Sequence, residues 1–159
     1  MLLKIEGLPV PWRAHAGFGR KSFNPRFKEK EFYQWQIRSQ WNKKGPFGGP
    51  IHLEVVYHLP IPQGTSKAKR LQMLNGLIHH LKRPDLDNLD KFLCDCLKTI
   101  VFDDDSQVVE KHVTKIYSET PQTVVKINAP SPMGLKNFYF PFGETIPAFL
   151  DGFNPTPKT

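Results

Sequence analysis

The stretch that decides the reading of this chain is RPDLDNLDKFLCDCLKTIVFDDDSQ, residues 83–107. It opens with Asp85 and Asp87, two apart and directly after Pro84, and it closes on Asp103, Asp104 and Asp105. Between them Leu89, Phe92, Leu93, Cys96, Leu97 and Ile100 recur at i, i+3, i+4, i+7, i+8 and i+11. That period predicts an amphipathic helix from about Asn88 to Ile100 with an acidic cluster at each end. Of the 15 acidic residues, 8 lie between Asp85 and Glu110, although the chain carries a formal net charge of +7.

Outward from this segment, IHLEVVYHLP (residues 51–60) alternates cleanly, with Ile51, Leu53, Val55, Tyr57 and Leu59 on one face. It reads as a half-buried strand. Residues 66–80 read as a helix capped by Ser66, with Leu71, Leu74, Leu77 and Ile78 on one side and Gly76 as a weak point. Towards the N-terminus, Leu2–Leu8 reads as a short strand ended by prolines, followed by a basic loop with interleaved aromatics (WRAHAGFGRKSF). Asn24–Pro25 is a helix start for a helix to about Trp41 with Phe27 and Trp35 inward, and the Gly/Pro run at 45–50 ends it. After the acidic turn, QVVEKHVTKIYS and QTVVKINA read as two strands joined at residues 118–121, a C-terminal hairpin. The sum is an α+β fold in a single small domain, residues 1–128. Residues 129–159 form an aromatic and Pro-rich extension, which reads as packing on its own domain, on a second subunit or on a partner protein.

The chain has 159 residues and is 39% hydrophobic, enough for one core and hardly for two. No apolar run approaches the roughly 20 residues of a membrane span. The first residues lack the basic leader and apolar stretch of a signal peptide, so a soluble, cytoplasmic protein is expected. Cys94 and Cys96 stand two apart within the helical pattern, a poor geometry for a disulfide, and read as reduced thiols with Cys96 inward.

The basic residues flank the acidic island. Residues 13–44 include Arg13, Arg20, Lys21 and Arg26, and residues 67–83 include Lys67, Lys69, Arg70, Lys82 and Arg83 with no acid among them. Two readings stand: a solvated surface, or a rim that holds a polyanion over an acidic centre. Carboxylates that converge need a cation to offset their repulsion, and hard oxygen ligands completed by water and phosphate suit Mg²⁺. Asp85 and Asp87, in an extended segment, can point the same way. Asp105 joins them if the strand that follows runs back beside that segment. Such a cage opposite a basic surface suits phosphodiester hydrolysis. A calcium loop does not fit, because Leu89 and Asp90 occupy the fifth and sixth positions counted from Asp85. Helix capping by Asp87 and a solvated turn at 103–105 are the plain alternatives.

RPDLDNLDKFLCDCL followed by FDDDSQVVEKHVTKIY resembles the RusA-like Holliday-junction resolvases (crossover junction endodeoxyribonucleases), a family common in phages and prophages. That family shows Asp-x-Asp-Asn-x-x-Lys at a helix start and then Asp-Asp-x-Gln-(Val/Ile)-Val, and the order of elements agrees over residues 1–128. The resemblance implies a mixed sheet with helices on one side, and Asp85, Asp87 and Asp105 as Mg²⁺ ligands, with Asp104 the alternative to Asp105. Mn²⁺ would substitute for Mg²⁺. Lys91 would stabilise developing charge, and Asn88 and Gln107 would orient ligands or backbone. It further implies a homodimer that nicks four-way DNA junctions in recombination and repair. The segment before Asp85 is longer than the family pattern, and the extension after Asn128 has no counterpart in it.

Two other functions compete: a non-catalytic DNA-binding accessory protein, and a metal-dependent nucleotidyltransferase, for which no Gly-Ser helix opening precedes the Asp-x-Asp. His52, His58, His79 and His80 read as surface or DNA-rim residues rather than as a zinc cage, and His112 reads as an exposed strand residue or a proton carrier. Trp12, Phe18 and Phe23 either stack on unpaired bases or pack a core.

Overall fold

The computed structural model describes residues 1–14, 16–18 and 21–129, with backbone alone at 16–18 and 21–23. The Pro-rich extension, apart from Ala129, therefore lies outside the described residues, as does Arg20. The elements run β1 (Leu2–Glu6), β2 (Ala16–Phe18), β3 (Lys21–Phe23), α1 (Phe27–Gln40), β4 (Ile51–Pro60), α2 (Lys67–Leu74), α3 (Leu86–Leu97), a 3₁₀ turn (Asp105–Gln107), β5 (Val108–Ser118) and β6 (Gln122–Asn128). β2 and β3 pair as a small antiparallel ribbon inside the basic loop.

The four long strands form one mixed sheet in the order β1-β6-β4-β5. One of its faces is buried by β4 residues Ile51, Leu53, Val55, Tyr57 and Leu59, together with Leu3, Ile5, Val125 and Ile127. Leu89, Phe92, Leu93, Cys96 and Leu97 of α3 and Tyr33 and Ile37 of α1 cover that face. Tyr33 meets Phe92 edge-on at 5.3 Å and ties the two helices together. The α+β architecture with a mixed sheet and its helices on one side is thus as expected.

The C-terminal hairpin is not formed. β4 lies between β5 and β6, parallel to β5 and antiparallel to β6. The link after Ser118 crosses the end of β4, where Pro60 stands beside Ser118 and His58 beside Gln122. Local turn chemistry favours a hairpin there. β4, which buries Ile51, Leu53, Val55, Tyr57 and Leu59, instead takes a place inside the sheet between the two.

Both N-terminal helices bury a different stripe from the one their leucines and aromatics suggest. In α1, Phe27, Phe32 and Trp35 are more than half exposed, while Tyr33, Gln36 and Ile37 face inward. The reason is the open edge of β1. The Gln36 side chain accepts from Glu6 N–H at 2.8 Å and donates to Glu6 C=O at 3.1 Å. Gln40 does the same for Lys4 at 2.9 and 2.7 Å. Two glutamine amides therefore satisfy backbone groups that would otherwise invite another strand. The helix N-cap is Arg26, two residues beyond Asn24, whose side chain accepts from Arg26 N–H at 2.8 Å. In α2 the Ser66 hydroxyl caps as expected, accepting from Lys69 N–H. The helix ends at Leu74 because Gly76 adopts φ +74°, a left-handed stop. It rests on the core through Met73, leaving Leu71, Leu74 and Leu77 exposed.

Helix α3 buries the predicted residues, with Ile100 held just beyond its end. Both cysteines are free and buried, and burial pushes the Cys96 thiol up to about 12 and also raises that of Cys94, which favours the protonated form of each. No helix among the described residues is long and apolar enough to cross a membrane.

Candidate active site

The first acidic cluster sits where the chain enters α3. Asp85 is the N-cap, yet its side chain makes no capping hydrogen bond, and Asp87 lies in the first helical turn. Asp87 is therefore helical rather than part of an extended segment. Both residues are exposed. Among the described residues neither carboxylate has a salt-bridge partner, so their oxygens are free for a hard cation at a helix N-terminus.

Asp85 and Asn88 line a cleft of about 590 Å³, together with Trp12, Arg13, His80, Lys82 and Arg83. Of the nine basic residues considered as DNA contacts, Arg13, Lys82 and Arg83 flank this cleft. Lys67 and Lys69 lie on α2, while Arg26 is paired with Glu29 at 2.6 Å and Arg70 with Glu119 at 3.0 Å. The side chain of Lys21, like all of Arg20, is outside the description. The Asn88 carbonyl accepts from Trp12 N–H at 2.7 Å and fastens the N-terminal loop to α3. Lys91 lies 3.6 Å over the Trp12 ring. Trp12 thus packs between the core and a catalytic-candidate lysine, and one of its faces is taken.

Asp90, the remaining acid of DLDNLD, is held by Lys111, whose Nζ is 2.9 Å from Asp90 Oδ2 and 3.2 Å from Cys94 Sγ. Burial opposes the Lys111 charge, but these two partners more than offset it and the ammonium is raised. Lys115, further along β5, donates to the carbonyls of Lys82 (3.1 Å) and Pro84 (3.0 Å). β5 therefore does run back beside the Asp85 segment.

The second cluster is nonetheless at the other end of the helix. Lys98, the C-cap of α3, reaches Asp104 Oδ2 at 2.6 Å and Asp105 Oδ1 at 3.5 Å. Asp85 stands at the N-cap position of the same 12-residue helix, which is about 18 Å long. Within one chain, Asp105 is not brought to Asp85 and Asp87. Asp104 is occupied structurally: its Oδ1 accepts from Ser106 N–H at 3.0 Å in a capping box, and Lys98 and that N–H hold its carboxyl well below the usual range. Among the described residues the Asp105 carboxylate has only the long contact to Lys98, which makes it the freer ligand.

Gln107 explains its place in the motif. Its Oε1 accepts from the N–H groups of Asp103 (2.8 Å) and Asp104 (3.1 Å), and its Nε2 donates to the carbonyls of Phe47 (2.9 Å) and Gly49 (3.0 Å). One amide thus fixes the acidic turn and pins it to the loop before β4. It orients backbone, not metal. Gly49 has φ +124°, which only glycine adopts freely.

The histidines divide differently from the surface reading. His80 is buried, 7% exposed, and packs on Tyr117 with ring centroids 4.6 Å apart. His52 and His112 flank Glu110 on the sheet face away from the helices. Among the described residues these three alone place His, Cys, Asp or Glu ligand atoms in a group within 4.8 Å. Neither Glu110 nor Lys98 stands out in the sequence; both are found only through the β4–β5 register and the end of α3.

A family model described as Endodeoxyribonuclease RusA matches residues 24–128, a span that includes both acidic clusters, Lys91 and Gln107. The chain belongs to the RusA endodeoxyribonuclease family. The RusA match begins at the turn before α1 and ends with β6, so it covers most of the sheet, both core helices and the part of the cleft wall that includes His80, Lys82, Arg83, Asp85 and Asn88, but not Trp12 and Arg13. A relative from Bacillus subtilis (strain 168), Uncharacterized protein YqaN, is 36% identical over 104 residues, covering 63% of this chain and 73% of its own length. Family membership supports a DNA nuclease, and it favours that reading over the nucleotidyltransferase.

Proposed function

We propose that this protein is a Mg²⁺-dependent, structure-selective endodeoxyribonuclease that resolves four-way DNA junctions by paired phosphodiester hydrolysis. The observation that carries the reading is the grouping of two unpaired carboxylates, Asp85 and Asp87, with Lys91 and the Arg13, Lys82 and Arg83 rim at one helix N-terminus. Free carboxylate oxygens beside a basic cleft fit a hard divalent ion that keeps water and phosphate among its ligands. Bound there, Mg²⁺ supplies an activated water and charge stabilisation at the phosphate. Lys91, one turn along from Asp87, neutralises charge that develops on the phosphate, and Trp12 holds its ammonium in place. Arg13, Lys82 and Arg83 grip the flanking backbone.

Asp105 enters this reading through a second copy of the chain. With the two clusters at opposite ends of α3, a two-fold dimer with antiparallel α3 helices sets Asp105 of each copy against Asp85 and Asp87 of the other. Two such composite sites match the two symmetric strands of a four-way junction.

The test is cleavage of a labelled synthetic junction and of linear duplex and flap DNA of the same sequence across a Mg²⁺ and Mn²⁺ titration. Paired, metal-dependent nicks confined to the junction are expected. Tight junction binding without cleavage in either metal would favour the DNA-binding accessory protein, and equal cleavage of duplex would remove the junction assignment.

A further inference from the structure

β5 does not follow β4 in simple register. Ile51 pairs with Val108, but His52 pairs with Glu110, so Val109 is an extra residue in β5. Such a bulge turns the next side chain to the opposite face. In a regular strand Glu110 would share the core-facing side with Val108. The bulge places it instead on the open face beside His52, and its i+2 neighbour His112 follows it there, opposite Glu54.

The result is a compact donor set. His112 Nε2 is 3.1 Å from Glu110 Oε1, His52 Nδ1 is 3.8 Å from Glu110 Oε2, and the two imidazoles are 5.4 Å apart by centroid. Three ligand atoms held tetrahedrally about one ion at 2.0–2.1 Å lie about 3.3 Å apart. The two nitrogen–oxygen separations, 3.1 and 3.8 Å to the two oxygens of Glu110, bracket that value, and the three ligand atoms all lie within 4.8 Å of one another. His52 and His112 line a cavity of about 360 Å³ with Glu54, Val56 and Thr114. His52 Nε2 is shielded from solvent and has no hydrogen-bond partner. Glu54 accepts through Oε1 from Lys126 at 2.8 Å and Asn128 at 3.3 Å, and it borders the group of three without belonging to it.

We infer that His52, Glu110 and His112 form a second metal site, separate from the aspartates of α3, that takes a Zn²⁺-class ion and not Mg²⁺. Two imidazoles and one carboxylate suit zinc and its transition-metal neighbours, whereas Mg²⁺ selects oxygen ligands. Three protein ligands leave one tetrahedral position for water. The ion joins β4 to β5 across the whole α2–α3 crossover. It fixes β5 at Glu110, five residues after Asp105, so it holds the acidic turn without touching the α3 aspartates.

The test is calorimetric titration of untagged, chelator-stripped full chain with Zn²⁺ in excess Mg²⁺, for wild type, His112→Ala, His52→Ala/His112→Ala and Asp87→Asn. We expect one Zn²⁺ per chain for wild type and Asp87→Asn. Affinity should fall at least about tenfold for His112→Ala and stoichiometric binding should vanish in the double variant. Circular dichroism confirms folding, and His112, an exposed edge-strand residue, is the variant least able to disturb it. No stoichiometric Zn²⁺ binding by wild type, or binding that survives in the double variant and is lost in Asp87→Asn, would overturn the inference.

Discussion

The ammonium of Lys91 stands 3.6 Å above the ring of Trp12, joining α3 to a loop some eighty residues earlier in sequence. A cation over an indole face gains about 0.5–2 kcal/mol, and here the gain is chiefly positional. Trp12→Leu is expected to slow junction cleavage by about 3- to 30-fold with little change in junction affinity, and Trp12→Phe to fall between. Single-turnover cleavage rates beside a binding titration check this. Equal losses in rate and affinity would instead make Trp12 a DNA contact.

Gln107 makes four hydrogen bonds from one side chain. Gln107→Ala leaves two backbone donors and two carbonyls to find water, a destabilisation of about 2–4 kcal/mol if each bond contributes its usual net amount. Urea denaturation should show it as a lowered midpoint with the slope unchanged. Gln107→Glu keeps the acceptor, loses the donors and adds a charge beside Asp103 and Asp104. It should be no better than the alanine variant.

His80 makes stability depend on pH. Burial, with Lys115 nearby, lowers its pKa from the ordinary 6.5, so the folded state favours the neutral ring. Between the lowered value and 6.5 the unfolded chain binds the extra proton, and stability must fall as the pH drops through that window. His80→Phe, which keeps a ring against Tyr117, should weaken the loss of stability between pH 7.5 and 5.5. Some dependence should remain, because burial also lowers His58. An unchanged pH profile would show that His80 does not titrate this way.

The helix over Asn88–Ile100, the strand over 51–60 and both acidic motifs are legible in the sequence because each rests on a short-range period or spacing. Asp104 and Gln107 carry their roles within a four-residue capping box. What is hidden depends on partners far along the chain. The inward face of α1 follows from glutamines that serve the edge of β1, not from its aromatic residues. The placement of β4 between β5 and β6 follows from competition for the sheet centre. The grouping of His52 with Glu110 and His112 needs that topology and one bulged residue besides.

The separation of the two acidic clusters makes a composite site testable by mixing variants. Asp87→Asn and Asp105→Asn are each expected to be inactive while folded. In their heterodimer one composite site has both residues intact, so refolding the two together should restore nicking at one strand of the junction. If each site is built from one chain, every site in the mixture carries a lesion and no activity returns. Asp104→Asn retains the cap and should keep most activity, whereas Asp105→Asn should not.

On the proposed mechanism, Asp85 and Asp87 hold the metal for cleavage of junction DNA. The most direct measurement compares wild type and Asp87→Asn for binding and cleavage of one labelled four-way junction in Mg²⁺. Paired nicks are expected for wild type, with a loss of at least about a hundredfold in the variant, and junction affinity kept or raised as a negative charge leaves the interface. Cleavage by Asp87→Asn at the wild-type rate would contradict that mechanism.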